Sequence, residues 1–322
     1  MLQNSVDYQL LRSPLTLTER ISIQPLDSVN PDAYPDAVND YFAHYGLTAP
    51  EGLDIEHLFG YFVSDGIKLA AHLYHPQTYR ATVLLLHGYL NHSAQFQHLI
   101  RHLLQNGYAV AVFDLPGHGL SGGNPAEIES FEQYVHAVQD FLVEVMVRLQ
   151  GPHDAVGFST GAAVLIDMLL TNRADDIAKV VLAAPLIHWT LYEQSKNTYR
   201  VYSTFTDRIA RFHRKNSSDR DYLVFNKTQD YLHCKYLSLK WVKALFEWND
   251  RLPALSPSEA NVLVIQGDRD GTVDWNYNLD VIREKFPQAA VQMIAGANHE
   301  LFNESSELRA QALQNITSFF NR

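Results

Sequence analysis

A chain of 322 residues, 46% hydrophobic and 19% charged, can bury a large core and has the composition of an ordinary globular protein. Its formal net charge of −11 argues against a nucleic-acid polyanion as the main partner, and its one cysteine excludes an internal disulfide. No apolar run approaches the ~18 residues of a membrane-spanning helix, and the first eight residues carry no secretory signal pattern, so a cytoplasmic location is expected.

Residues 1–55 read as an N-terminal extension. A turn-rich stretch, Asp27–Pro35, precedes a short amphipathic helix in which Val38, Tyr41, Phe42 and Tyr45 recur at helical spacing. His57–Val63 and Ile67–Tyr74 are then two strands joined across Ser64-Asp65-Gly66. Strand–helix alternation follows. Thr82–Leu86 is a buried strand, Gln95–Gln105 a helix ended by Asn106-Gly107, and Tyr108–Phe113 a strand. Ser130-x-x-Gln133 has the form of a capping box opening a long helix to about Leu149. A strand His153–Phe158, a helix 160–171 and a strand Lys179–Ala184 come next. After a gap the pattern resumes with the strand Val262–Gln266, helix Tyr277–Lys285, strand Val291–Ile294 and helix Ser306–Phe320. The central strands are continuous apolar runs, as expected when helices cover both faces of a mostly parallel sheet. Residues 56–185 and 259–322 are therefore expected to form one α/β core, and 186–258, rich in Tyr, Trp, Arg and Lys, a helical cap inserted between two strands.

Gly157-Phe-Ser-Thr-Gly161 falls between a predicted strand and a predicted helix, the sequence form of a nucleophile elbow. The glycines leave room for a turn too tight for side chains on either side of Ser159. A serine hydroxyl needs a base to take its proton, and the base needs a carboxylate to fix its tautomer. The last two strands run into Gly267-Asp-Arg-Asp-Gly-Thr-Val273 and Ala295-Gly-Ala-Asn-His-Glu300, on the same sheet edge as the serine. His299 is the candidate base. Asp270 is favoured as its carboxylate over Asp268 and over Asp274, which suits the cap of the next helix. Backbone N–H groups of Thr160, after the serine, and Tyr89, after the first buried strand, are the candidate oxyanion donors. Gly88 lets that backbone approach a substrate, and His87 reads as a structural hydrogen-bonder holding the loop. Cys234, in Tyr231-Leu-His-Cys-Lys, lacks the turn of a nucleophile and is expected to be an inert thiol.

Leu85-Leu-His-Gly-Tyr89, Phe113-Asp-Leu-Pro-Gly-His-Gly-Leu-Ser-Gly122, the Gly157–Gly161 elbow, Gly267-Asp-Arg-Asp270 and Asn298-His-Glu300 occur in the order found in α/β-hydrolases. The set resembles the lysophospholipase and monoacylglycerol-lipase branch, with its helical cap, over about Phe59–Phe320. Asp114-x-x-Gly-His-Gly-x-Ser121 is the most specific marker outside the elbow. The resemblance implies a loop braced by Asp114 and His118, with no catalytic role. Thr160 departs from the glycine, methionine or glutamine common after the nucleophile, which leaves the backbone N–H unaffected. Residues 1–55 fall outside the resemblance.

Within the cap, Thr198–Lys215 is expected to be a helix with Val201, Tyr202, Phe205, Ile209 and Phe212 on one stripe and Arg200, Arg208, Arg211, Arg214 and Lys215 on the next. Two readings stand: a packed helix with a solvated basic side, or a surface for lipid head groups or an anionic substrate. Trp189, Tyr192, Trp241, Phe246 and Trp248 are expected mainly in the cap's core. The expected activity is a serine carboxylic-ester hydrolase acting on a lipid-like acyl ester, with no metal or organic cofactor, no nucleic-acid partner and peripheral lipid contact through the cap. The alternatives are an aminopeptidase or amidase on the same scaffold, with Glu193, Glu247 and Asp250 binding the substrate amine, and a non-catalytic binding protein.

Overall fold

Largely apolar runs of four to six residues make the inner strands, and their alternate side chains fill two separate cores. The structure, a computed structural model, describes residues 21–212 and 214–322; the first 20 residues of the expected extension, and His213, lie outside the described residues. The strands are β1 (Ile55–Ser64), β2 (Ile67–Pro76), β3 (Thr82–Leu86), β4 (Ala109–Phe113), β5 (His153–Phe158), β6 (Val180–Ala183), β7 (Arg208–Ala210), β8 (Tyr236–Ser238), β9 (Val262–Gly267) and β10 (Ala290–Ile294). Eight of them form a central sheet in the order β1-β2-β4-β3-β5-β6-β9-β10. The β1–β2 and β2–β4 pairs are antiparallel and the rest parallel. β1 and β2 meet at a two-residue turn, with Asp65 and Gly66 both at positive φ as a twist-matched hairpin requires.

The helices are α1 (Asp36–Tyr45), α2 (Gln97–Gln105), α3 (Glu132–Arg148), α4 (Thr160–Leu170), α5 (Tyr192–Tyr202), α6 (Arg220–Thr228), α7 (Leu239–Arg251), α8 (Trp275–Lys285) and α9 (Ser306–Phe320). Leu84 and Leu86 of β3 face a core closed by α3, α4 and α8. Val83 and Leu85 face the other, closed by α1, α2 and α9. The mostly parallel sheet flanked by helices is the fold expected from the sequence. The predicted capping box does not form. The α3 helix starts at Glu132, one residue too late for Ser130 to cap it, and the Gln133 Oε1 accepts the Glu129 N–H at 2.7 Å.

The segment between β6 and β9 carries α5, α6, α7 and the antiparallel β7–β8 ribbon, so it is not wholly helical. The expected helix over 198–215 stops at Tyr202. Its apolar spacing was helical, but Ser203, Thr204, Thr206 and Asp207 are poor helix formers whose side chains compete for the backbone. The Thr204 hydroxyl donates to the Val201 carbonyl at 2.8 Å and the Thr206 hydroxyl to the Arg208 carbonyl at 2.8 Å. Ile209 then pairs with Leu237 across the ribbon instead of joining a helical stripe.

The described part of the extension is joined to both the sheet and this segment. Val38, Tyr41, Phe42 and Tyr45 are buried, as their spacing predicts, with Phe42 edge-on to Phe59 at 5.4 Å. The Tyr45 hydroxyl reaches across to donate to Asp230, which follows α6, at 2.9 Å.

Candidate active site

The elbow is built by close backbone approach. A Cβ on Gly157 would sit 2.6 Å from the Gly161 carbonyl group, and one on Gly161 would run into the Leu86 carbonyl of β3. With both positions bare, β5 can turn straight into α4, and Ser159 is held at φ 53°, ψ −109°. Positive φ is unusual for a residue with a side chain and is retained only where surroundings enforce it. Here the Ser159 N–H donates to Ala183 of β6 at 2.9 Å, while its carbonyl accepts from Ala163 (3.1 Å) and Leu186 (3.2 Å).

β9 and β10 lie parallel to β6 and end on the same edge, so their loops converge on the elbow. The His299 Nε2 lies 3.1 Å from the Ser159 Oγ, and its Nδ1 lies 2.7 Å from the Asp270 Oδ2. All three residues are buried. Asp270 also accepts from the Thr272 and Val273 N–H groups at Oδ1 (2.8 and 3.1 Å) and from the Gln266 amide at Oδ2 (3.1 Å). Burial opposes the charged form of both partners. The histidine and these donors nevertheless hold the Asp270 carboxyl below the ordinary carboxylate range, and the carboxylate holds His299 above the usual imidazole value.

The competing carboxylates are elsewhere. Asp268 accepts the exposed Gly296 N–H at 2.7 Å, and Asp274 caps α8 through the Tyr277 N–H at 3.3 Å. Tyr89 and Thr160 are adjacent at the elbow: the Tyr89 N–H donates to the Thr160 hydroxyl at 3.2 Å. Thr160 opens α4, where N–H groups have no partner within the helix and the helix dipole favours negative charge. His87 braces this loop. Its Nδ1 donates to the Gly88 carbonyl at 2.8 Å and its Nε2 accepts the Leu115 N–H at 2.9 Å, while burial pushes its pKa down to about 3. Asp114 ties the same loop to the next by accepting from Ser93 (2.7 Å) and Leu120 (2.8 Å). Cys234 is half-buried, and burial pushes its thiol up to about 11, far from a thiolate nucleophile at neutral pH.

Other groups near the site were not singled out by sequence reasoning. Gln266 is one, although a glutamine ending an otherwise apolar strand was a legible anomaly. The Tyr89 ring is another. It stacks on Trp241 of α7 at 3.6 Å, and its hydroxyl accepts the Ser238 N–H at 2.9 Å. Buried His92, three residues after Tyr89, pairs with Asp230 at 3.0 Å. No local pattern links positions so far apart in the chain. A cavity of about 720 Å³ opens above Ser159, walled largely by the segment between β6 and β9.

Serine, carboxylate and histidine in that chain order, on the carboxyl edge of such a sheet, are the arrangement of the α/β-hydrolases, and this chain is one of them. It belongs to the Hydrolase_4 family, described as serine aminopeptidase, S33, whose family model matches residues 77–306. It is 24% identical to the probable lysophospholipase L2 of Haemophilus influenzae, over 79% of this chain and 89% of the relative. It is 23% identical to the monoacylglycerol lipase of Mycolicibacterium smegmatis, over 79% of this chain and 93% of that one. Among solved structures it is similar to a soluble variant of monoglyceride lipase from Saccharomyces cerevisiae in complex with a substrate analogue. That match has a TM-score of 0.70 and 19% identity, and covers 84% of this chain and 98% of the other. No helix among the described residues is long and apolar enough to cross a membrane.

Proposed function

We propose that this hydrolase cleaves a lipid-like carboxylic ester through an acyl-enzyme. The observation that carries the reading is the Ser159–His299–Asp270 relay, bonded in sequence, with its serine and histidine lining a cavity with a broad apolar wall. The relatives named for lysophospholipids and monoacylglycerols support the substrate class. In the mechanism, the Ser159 Oγ attacks the ester carbonyl while the His299 Nε2 takes its proton. The carbonyl oxygen, now an anion, accepts from the backbone N–H groups of Tyr89 and Thr160; to do so it displaces the Thr160 hydroxyl from the Tyr89 N–H. His299 returns the proton to the departing alcohol. Water then attacks the acyl-serine by the same route, releasing the acid. Asp270 keeps the proton of neutral His299 on Nδ1 and stabilises the imidazolium between these steps.

The segment 186–258 acts in this reading as a cap that shapes the cavity and meets the lipid surface. Phe205 and Phe212 are 85% and 79% exposed, with Val201 and Tyr202 exposed nearby, and Tyr202 and Phe212 also line the cavity. Large apolar side chains left in water beside a cavity mouth, with basic residues interleaved, suit an interfacial contact. The amidase alternative loses the feature that suggested it. Glu193 pairs with Lys196 and Glu247 with Lys243, and neither they nor Asp250 line the cavity.

Hydrolysis of p-nitrophenyl esters from acetyl to palmitoyl tests the reading, with Ser159→Ala as the control. Wild type should turn over, with its optimum beyond the shortest chains, and should label with a fluorophosphonate. The variant should lose both while keeping its fold. Activity of Ser159→Ala within tenfold of wild type would refute the nucleophile. Failure of the wild type to label would point to a binding protein.

A further inference from the structure

The cavity above Ser159 has two unlike walls. One is apolar and aromatic, supplied by residues 186–199 and 237–242, with Trp189 and Trp241 its largest members. The other is cationic: Arg211, Arg214 and Lys215 from one stretch and Lys227 from α6 line it, against a single carboxylate, Glu300. That carboxylate is already engaged by the side-chain amides of Asn91 (3.2 Å), Asn216 (3.2 Å) and Asn303 (3.4 Å). In a chain with 36 acidic and 25 basic residues, four cations around one occupied carboxylate reverse the overall balance. None of the four is ion-paired among the described residues. Arg211 donates to the Leu90 carbonyl and Arg214 to the Gly271 carbonyl, both at 3.1 Å, so these two guanidiniums are held in place by neutral acceptors.

Their anchoring says which part of a substrate they face. Arg214 is tethered beside Asp270. Asn216 is tethered beside His299, its carbonyl accepting the Glu300 N–H at 2.9 Å. Residues 214–216 therefore ride on the loops that carry the base and its carboxylate, while Arg211 is tied to the neighbouring Tyr89 loop at Leu90. The leaving alcohol of an ester must lie on that side, because His299 hands it the proton. The apolar wall, by contrast, is tied to the oxyanion loop by the Trp241–Tyr89 stack, which leaves it to the acyl chain.

We propose that Arg214, Lys215 and Lys227, with Arg211 behind them, form a subsite for a phosphate carried by the leaving alcohol. The favoured substrate is then an anionic glycerophosphate ester of a fatty acid in preference to the neutral glycerol ester. This rests on the ester-hydrolase reading above. Arginine and lysine side chains without carboxylate partners are suited to phosphate oxygens, and because Arg214, Lys215 and Lys227 are exposed, with only Arg211 half-buried, their pull on a phosphate is open to screening by salt.

The test compares 1-octanoyl-glycerol 3-phosphate with 1-octanoyl-glycerol, both as monomers below their aggregation limits, with p-nitrophenyl octanoate as a reference ester. In 50 mM salt, kcat/KM should favour the phosphorylated ester at least tenfold, mainly through KM, and the preference should shrink towards unity in 1 M salt. The triple variant Arg214→Gln, Lys215→Ala, Lys227→Ala should lower the ratio of the two kcat/KM values at least tenfold, and Lys215→Arg with Lys227→Arg should preserve it. A wild-type ratio of one or less, or a ratio unmoved by the triple variant, overturns the subsite. A preference that exists only on anionic vesicles and not with monomers also overturns it, and assigns the cations to a lipid surface. If p-nitrophenyl octanoate is cleaved without any phosphate preference, this inference alone falls. If wild type cleaves none of the three, the ester-hydrolase reading falls and takes the subsite with it.

Discussion

Replacing Asp270 with asparagine changes one atom, and the surrounding hydrogen bonds dictate how the new amide must sit. The Oδ1 of Asp270 accepts two backbone N–H groups, from Thr272 and Val273, so the amide oxygen has to stay there. The NH2 group then occupies the position of Oδ2, facing the His299 Nδ1 at 2.7 Å. An NH2 group donates, so Nδ1 must accept and the single imidazole proton moves to Nε2. In that tautomer Nε2 donates to the Ser159 Oγ instead of taking its proton, and the base is lost with the geometry intact. Gln266, whose amide donates to Oδ2 at 3.1 Å, would also face a second donor. The equivalent change in a serine protease costs about 10⁴ in kcat. At about 1.36 kcal/mol per tenfold that is roughly 5.4 kcal/mol of transition-state stabilisation, and Asp270→Asn should show a loss of this order with p-nitrophenyl butyrate at pH 7. Asp268→Asn is the matched control. Its carboxylate accepts the exposed Gly296 N–H and has no contact with His299, so its kcat should stay within about threefold of wild type. If Asp268→Asn proves the more damaging of the two, the carboxylate has been wrongly chosen. If Asp270→Asn costs less than tenfold, the tautomer reasoning fails.

The pH profile gives an independent reading of the same pair. His299 must be neutral to act, and its pKa is held above the usual 6.5, so kcat/KM should rise with pH through a midpoint above that value; in Asp270→Asn the midpoint should move down, because the carboxylate that most strongly offsets burial is gone. Asp230→Asn should destabilise by about 3 kcal/mol in urea, since it leaves buried His92 without its counter-charge. In wild type the Asp230 carboxyl is held at about 2, so its contribution is present above the ordinary carboxylate range and is lost as pH falls towards 2. His92, raised by the same contact, contributes fully below the unfolded imidazole value and loses its share as pH rises through its folded pKa. The variant's stability should accordingly be flatter at both ends of the range. Gly161→Ala should cost on the order of 3 kcal/mol or fail to fold, because the added methyl meets the rigid β3 backbone, whereas Gly271→Ala, with nothing within 4 Å of its new Cβ, should leave the urea midpoint unchanged.

What could be read from the sequence was local or periodic. The buried strands are apolar runs, the α1 helix repeats Val38, Tyr41, Phe42 and Tyr45, and Ser159 is bracketed by two glycines that a tight turn demands. Asp270 and His299 were legible because each follows a strand, and parallel strands in one sheet all end on the same edge. The cap is where sequence reading failed most. The stretch 198–215 has a helical apolar period, but the apolar face it predicts has nothing to pack on, so local hydroxyl-to-carbonyl bonds and the pairing of Ile209 with Leu237 outweigh it. Period reports structure only where a core is waiting to bury it. The couplings that reach the oxyanion loop (Trp241 on the Tyr89 ring, Asp230 on His92, Tyr45 on Asp230) join segments that only the fold brings together. They have a chemical consequence. The loop carrying the Tyr89 N–H is held on one side by the core through His87 and Asp114, and on the other by the same inserted segment that walls the cavity. A displacement of that segment by substrate or by a lipid surface would therefore be felt at the proposed oxyanion donor through the Ser238 bond to the Tyr89 hydroxyl and the Trp241 stack, and at the next residue through the Arg211 bond to the Leu90 carbonyl. In the proposed mechanism the two functions meet at Tyr89, whose backbone N–H would serve the oxyanion and whose side chain is bound to the inserted segment through Ser238 and Trp241.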